Sequence, residues 1–339
     1  MNTGRMSAIA NCDDERRRCR VNRARSLAIM AALIMLVGAC SSIDRCAQNA
    51  TVSRATPLIV GKSHYIVRDG LRIHLWEKSQ AGNERVTGPN DRVVVLVHGA
   101  TWSALADFDL QVRGYSLMDA FACNGYDVWA IDIHGYGLSD KTDKDWSDTA
   151  SAALDLGAAI EYICDLRKIK SVRLLGWSWG ALVAGLYTET HADRVCKLVL
   201  YSATWLGERW KGGSIPQQQY RENTTDGARA DFVDGEYEQD VVDAYAKEAL
   251  AGDPRSPNGV IVDIITKMPI LEPEKISVPT LVLRPERDFA ASEEEMVQFF
   301  RRLGTHEKTF VSFPRSGHAA ILEKGHLDFQ RVIIEFCGH

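Results

Sequence analysis

The chain has 339 residues, 45% of them hydrophobic and 25% charged, an ordinary globular composition that excludes the disordered and fibrous classes. Its formal net charge is −5, and without residues 1–39 it would carry 33 basic against 42 acidic residues, a net charge of −9. Such an acidic chain is not built to hold nucleic acid, whose phosphates demand clustered Lys and Arg.

The first elements in chain order concern export. Arg16, Arg17, Arg18, Arg20, Arg23 and Arg25 precede an apolar run of 13 residues, Leu27–Ala39, and Cys40 follows at once. A basic region, an apolar stretch and a small-residue end read as a secretory signal over residues 1–39. The stretch is short for a membrane span, which needs about 20 apolar residues. Asp13, Asp14 and Glu15 lie in the basic region, and Met6 is a candidate for the true start. The segment VGAC resembles a bacterial lipoprotein signal, which implies that Cys40 is lipidated and that the exported chain is held at a membrane. An ordinary cleaved signal, giving a periplasmic or secreted protein, is the alternative. Cys46, Cys123, Cys164, Cys196 and Cys337 would remain, an odd number with no C-x-x-C pair, so buried thiols are expected and metal use has little support.

After a polar tether over residues 40–57, SHYIVR and LRIHLWEK flank Asp69-Gly70, a hairpin pattern. The domain over residues 58–339 then settles into a rhythm. RVVVLVHG, YDVWAIDIHG, SVRLLGWS, CKLVLYSA and TLVLRPERD are short, nearly continuous apolar runs, and most are separated by amphipathic segments such as TASAALDLGAAIEYICDLRK. This predicts an α/β fold: a mostly parallel sheet covered by helices on both faces. The rhythm breaks over residues 204–277, which are polar and aromatic with no strong strand, and an inserted helical lid is expected there.

The chemistry is spelled at three strand ends. Gly176-Trp177-Ser178-Trp179-Gly180 fits G-x-S-x-G between a strand and a helix, a turn so tight that only glycine fits its first and last positions. A serine hydroxyl is a weak nucleophile, so it needs a base and the base needs an orienting acid. His318 follows the last strand and is the expected base. His326 is read instead as a capping or surface residue at the start of the last helix. Asp288 closes TLVLRPERD and is the expected acid, with Glu286 as its near competitor. The oxyanion donors would be the backbone N–H groups of Trp179 and Ala100, with Thr101 the fallback. His98, just before Gly99, is expected to shape that loop rather than act as a base.

His98-Gly99, Asp132-Ile-His-Gly-Tyr-Gly-Leu-Ser139, Ser178, Asp288 and His318, in this order, resemble the α/β-hydrolase fold superfamily from about residue 60 to the C-terminus. His134 stands where the family's D-x-R-G-x-G-x-S loop has arginine, which puts that arginine's local ion pair in question. The resemblance implies a serine esterase or lipase without metal or organic cofactor, acting on a small ester that the aromatic lid would make apolar or aromatic. Ser178 argues against epoxide hydrolases and haloalkane dehalogenases, which attack with aspartate. An aminopeptidase, amidase or thioesterase on the same fold is the alternative, as is a non-catalytic ligand-binding relative. Arg209, Arg221 and Arg229 in the lid are read as solvated or as partners for a substrate carboxylate.

Overall fold

The structure, a computed structural model, describes residues 57–82 and 92–338. The expected signal, most of the tether, Cys40 and Cys46 lie outside the described residues.

Strands β1 (Ile59–Arg68) and β2 (Leu71–Gln80) form the expected hairpin. Its turn places Asp69 at φ 50° and Gly70 at φ 82°, the double left-handed geometry that Asp-Gly tolerates. Next come β3 (Val93–Val97), β4 (Asp127–Asp132), β5 (Val172–Trp177), β6 (Val195–Tyr201), β9 (Thr280–Pro285) and β10 (Lys308–Phe313). With β1 and β2 they make one eight-stranded sheet in the order β1-β2-β4-β3-β5-β6-β9-β10. The β1/β2 and β2/β4 pairings are antiparallel, and the rest are parallel.

The continuous apolar strands are explained by core on both faces. Val93, Val95 and Val97 belong to one hydrophobic cluster and Val94 and Leu96 to the other, as period-two alternation requires. Helices α1 (Ala104–Phe108), α2 (Leu117–Cys123) and α9 (His326–Gly338) cover one face. Helices α3 (Thr149–Arg167), α4 (Trp179–Thr190) and α8 (Glu293–Arg302) cover the other. The start of α3 is fixed by Asp148, whose side chain accepts from Ser151 N–H, and its end by Lys168 at φ 57°.

Between β6 and β9 the chain leaves the sheet. This insertion contains α5 (Thr225–Arg229), α6 (Gln239–Gly252) and α7 (Gly259–Thr266). It also holds a two-stranded ribbon that the sequence reading lacked, β7 (Tyr220–Glu222) against β8 (Arg255–Pro257). Strands of three residues are too short to show alternation, and their pairing spans more than thirty residues, so nothing local announces them.

All parallel strands point the same way. The ends of β3, β5, β9 and β10 therefore deliver Gly99, Ser178, Asp288 and His318 to one edge of the sheet, where ligands bind in open α/β sheets.

Candidate active site

Ser178 stands between β5 and α4 at φ 58°, ψ −117°. For a serine this conformation costs on the order of 1–3 kcal/mol, so the surroundings must impose it. The two glycines show how: a Cβ on Gly176 would lie 2.1 Å from the Gly180 carbonyl oxygen, and one on Gly180 2.2 Å from that of Val97. The Ser178 N–H donates to Tyr201 O at 2.8 Å, which anchors the turn to β6. The side chain sits half-buried at the wall of a cavity of ≈ 190 Å³ that His318 also lines.

His318 Nδ1 donates to Asp288 Oδ1 at 2.8 Å. Burial would lower the imidazole pKa, but the Asp288 carboxylate outweighs it, with Asp231 and Asp107 adding to the rise, and the result is raised above 6.5. Burial would likewise raise the Asp288 carboxyl; the charge and hydrogen bond of His318 win, and its pKa falls below the usual value. Both directions describe one ion pair, which holds the ring and leaves Nε2 for the cavity. Phe289 and Trp177 pack on the same ring, with centroids at 4.6 and 5.8 Å.

The competitors are placed elsewhere. Glu286 is exposed and accepts from the Arg315 N–H. His326 is 8% exposed, stacked on Tyr115 at 3.7 Å, with Nδ1 donating to Glu323 O. It is thus buried packing rather than a surface residue, because the first turn of α9 lies beneath the loop that carries Tyr115. His98 is fully buried, and both its nitrogens are engaged: Nδ1 donates to Gly99 O at 2.8 Å and Nε2 accepts from Ile133 N–H at 3.1 Å. Burial holds it below its ordinary pKa, as a neutral ring bracing the loop.

That loop has a defined orientation. His98 fixes Gly99 O, so the N–H of the same peptide, which belongs to Ala100, points the opposite way. Gly99 N–H itself donates to Asp107 Oδ2 at 3.0 Å. Ala100 O accepts from Tyr136 Oη at 2.8 Å and from Arg221 Nη2 at 2.6 Å. Trp179 N–H opens α4, where the first N–H groups have no intrahelical partner.

The insertion grips the same loop. Arg221 reaches Thr101 Oγ1 at 3.2 Å as well as Ala100 O, and Ser256 Oγ donates to Thr101 O at 2.5 Å. Ser103 N–H donates to Asp253 Oδ2, while Gly137 N–H donates to its Oδ1, each at 2.8 Å. Burial raises the Asp253 carboxyl to about 6. Arg221 is therefore not simply solvated: half-buried at the cavity lining, it holds Ala100 O, Thr101 Oγ1 and Pro257 O. Arg229 is exposed and pairs with Asp243, and Arg209 lies over the faces of Trp210 and Phe289.

The elbow's tryptophans diverge in role. Trp179 Nε1 donates to Thr149 Oγ1 at 3.0 Å and its ring packs on Tyr136. Trp177 stacks on Tyr201, at 5.4 Å and 17°, and edges the cavity beside His318. His134 keeps ionic partners in place of the family arginine: Nδ1 contacts Asp155 at 2.5 Å and Nε2 lies 3.3 Å from Asp145. Against its burial, these carboxylates raise its pKa.

Three cavity residues were not visible in the sequence. Asp107 is 2% exposed, with Oδ1 accepting from Tyr245 Oη at 3.2 Å, and burial pushes its carboxyl well above the usual range. Tyr245 of α6 forms the wall opposite the sheet edge. Asp231 also lines the cavity, and its pKa is raised by burial and by Asp288. No motif marks any of them, and the helical spacing of Val241, Tyr245 and Ala249 marks Tyr245 only as a buried-face residue, not as a cavity wall. Among the described residues no group of three or more His, Cys, Asp or Glu side chains could hold a metal ion.

Comparison with known proteins bears on the family and the fold. The serine aminopeptidase S33 family matches over residues 88–325. Serine hydrolase BPHL of Homo sapiens is 30% identical over 122 residues, or 34% of this chain and 38% of that protein, so the match spans well under two thirds of the relative's length. An esterase from Exiguobacterium antarcticum superposes with a TM-score of 0.61 at 19% identity, covering 82% of this chain and 100% of the other. The enol-lactonase from Burkholderia xenovorans gives 0.60 at 16% identity, covering 81% and 100%. A serine hydrolase involved in carbazole degradation gives 0.60 at 19% identity, covering 82% and 98%. At these identities the structural likenesses speak to the fold. The chain belongs to the serine aminopeptidase S33 family and has the α/β-hydrolase fold.

Proposed function

We propose that the chain is an esterase that cleaves a small carboxylic ester through an acyl-enzyme on Ser178. The observation that carries this reading is the imposed elbow: a strained serine shares a cavity with an imidazole held by a buried carboxylate. In this mechanism Ser178 Oγ attacks the acyl carbon and His318 Nε2 takes its proton. The tetrahedral oxyanion is met by the N–H groups of Trp179 and Ala100. His318 returns the proton to the leaving alcohol while Asp288 stabilises the imidazolium. Water, deprotonated by the same histidine, then releases the acid.

The cavity, ≈ 190 Å³ and walled by Trp102, Trp177, Trp210 and Phe289, favours a short apolar or aromatic acyl group. It is smaller than the roughly 300–1,000 Å³ of sites for drug-sized ligands. Replacing Ser178 with Ala is expected to abolish turnover of a p-nitrophenyl acyl ester, and full retained activity would refute the assignment.

A second reading rests on Asp231, a carboxylate that lines the cavity beside the base and would suit a substrate ammonium group, as an aminopeptidase requires. Amino-acid p-nitroanilides assayed against simple acyl esters separate the two. Preference for the anilides, lost in Asp231→Asn, supports the peptidase; indifference to that change supports the esterase.

Export as a lipoprotein anchored through Cys40 belongs to the same proposal and rests on the arginine-rich start and the VGAC segment. Mass spectrometry of the mature N-terminus tests it. A diacylglyceryl Cys40 is expected, and an unmodified start elsewhere contradicts it.

A further inference from the structure

Away from Ser178, a serine, a histidine and an aspartate stand in hydrogen-bonded series on the face of the β1–β2 hairpin. Ser63 Oγ lies 3.0 Å from His74 Nε2, and His74 Nδ1 lies 2.9 Å from Asp132 Oδ2. His74 and Asp132 are 1% and 2% exposed, whereas Ser63 is exposed. We propose that Ser63 is a base-activated hydroxyl, a covalent acceptor for electrophilic acyl or phosphoryl donors that is independent of Ser178.

The hydrogen bonds fix the direction of proton flow. Asp132 Oδ1 accepts from Ala104 N–H and Oδ2 from Leu138 N–H, each at 3.0 Å. Burial would raise this carboxyl, but its donors, His74 foremost, hold it below the ordinary value, so it stays a carboxylate. A carboxylate can only accept, so His74 Nδ1 is the donor, which leaves Nε2 as the nitrogen that can take the Ser63 proton. The ring is held by its bond to Asp132 and by burial at 1% exposure, and Ser139 Oγ, accepting the His74 backbone N–H at 2.8 Å, ties the strand that carries it. An acid-held imidazole with an accessible hydroxyl on its far nitrogen is the arrangement that activates a serine.

The surroundings indicate the kind of donor. Register places Trp76 opposite Ser63 and Tyr65 opposite His74, on one face of the hairpin. Tyr65 and Val67 on that face are 44% and 72% exposed. This open, partly aromatic strand surface suits an activated ester or thioester with an apolar acyl group. In the step, Ser63 Oγ bonds to the acyl carbon or phosphorus, its proton passes to His74 Nε2, and the leaving group departs. The imidazolium is held by Asp132 and gives the proton to the leaving group or to solvent.

The test uses full-length Ser178→Ala protein, a fluorophosphonate probe and quantitative peptide mapping. Ser312, an exposed serine on the opposite edge strand β10, is the internal control. A positioned base contributes on the order of 100-fold, so Ser63 is expected to be labelled at least about 10-fold faster than Ser312. His74→Gln should bring Ser63 down to the Ser312 rate. The same ratio in urea-unfolded Ser178→Ala protein should collapse towards one, which keeps the test decisive if the His74 variant does not fold. Equal labelling of the two serines in the folded protein, or a Ser63 rate unaffected by both His74→Gln and unfolding, overturns the proposal. Because Ser178 is absent throughout, the outcome is separate from that of the esterase assignment.

Discussion

Arg221 offers a searching test of how the insertion and the catalytic loop cooperate. Arg221→Ala would withdraw donors from Ala100 O (2.6 Å) and Thr101 Oγ1 (3.2 Å), leaving Tyr136 Oη on Ala100 O and the Ser256 and Asp253 ties in place. A hydrogen bond from a charged group contributes about 1.5–3 kcal/mol, so the protein should lose about 2 kcal/mol of stability. The catalytic effect follows from the next peptide along. Losing one oxyanion donor costs about 100- to 1,000-fold in kcat. Here the donor survives and only its support is loosened, so we expect a fall of about 10-fold, or about 1.4 kcal/mol of transition-state stabilisation. The KM should stay within about twofold, because the oxyanion donor whose support is loosened acts on the transition state and not on the bound substrate. The assay is steady-state hydrolysis of a p-nitrophenyl ester at a temperature where the variant is folded, with Arg221→Lys expected to recover part of kcat through a single donor. A variant that loses stability but keeps full kcat would refute the claim that the ribbon sets the loop.

Gly180→Ala would press a methyl group to 2.2 Å from Val97 O, so the elbow must open; esterase activity should vanish and Tm fall, measured together on purified protein. Asp288→Asn should leave the fold intact and lower kcat by a factor on the order of 10⁴, since the neutral amide permits the wrong imidazole tautomer and cannot stabilise the imidazolium. His318 has a raised pKa, so the acid limb of kcat/KM should lie above pH 6.5, and a rate profile flat down to pH 6 would contradict the assignment. Glu189, half-buried beside Glu272, has its pKa raised by burial to about 7. The folded state therefore holds this proton more tightly than the unfolded chain, and the stability it confers is lost as pH rises from about 4.5 to 7. Glu189→Gln, which keeps the acceptor for Glu272 N–H, should raise Tm at pH 8 and have little effect at pH 4, followed by thermal melts at both pH values.

Ser178, Asp288 and His318 could be read from the sequence because each follows a strand, nearly continuous and apolar before Ser178 and Asp288 and mixed in β10 before His318, and parallel strand direction carries all three to one edge of the sheet. Asp288 is preferred to Glu286 in the sequence as the residue that closes TLVLRPERD, and the structure adds the physical reason: two residues apart on one turn, Asp288 faces inward to His318 while Glu286 is exposed. The Asp69-Gly70 hairpin was legible for the same local reason, since its turn chemistry lies within two residues. What lay beyond reading was assembled across long sequence separations. Arg221 reaches Ala100 across 121 residues, and Tyr245 reaches Asp107 across 138. In the insertion that carries both, the strands have three residues and show no alternation, while the 14-residue α6 has a periodic buried face that does not say what it packs against. His134 shows a further limit. The sequence showed the missing arginine, but not that Asp155 and Asp145 stand close enough for an imidazole to replace it.

The central claim, acyl transfer through Ser178, is tested most directly by trapping the intermediate. Wild-type protein quenched during turnover of an aryl acyl ester, digested and mapped by mass spectrometry should carry the acyl group on Ser178, and the Ser178→Ala protein should show no turnover. Sustained hydrolysis by the Ser178→Ala protein, with no acyl group on Ser178 in the wild type, would contradict the account.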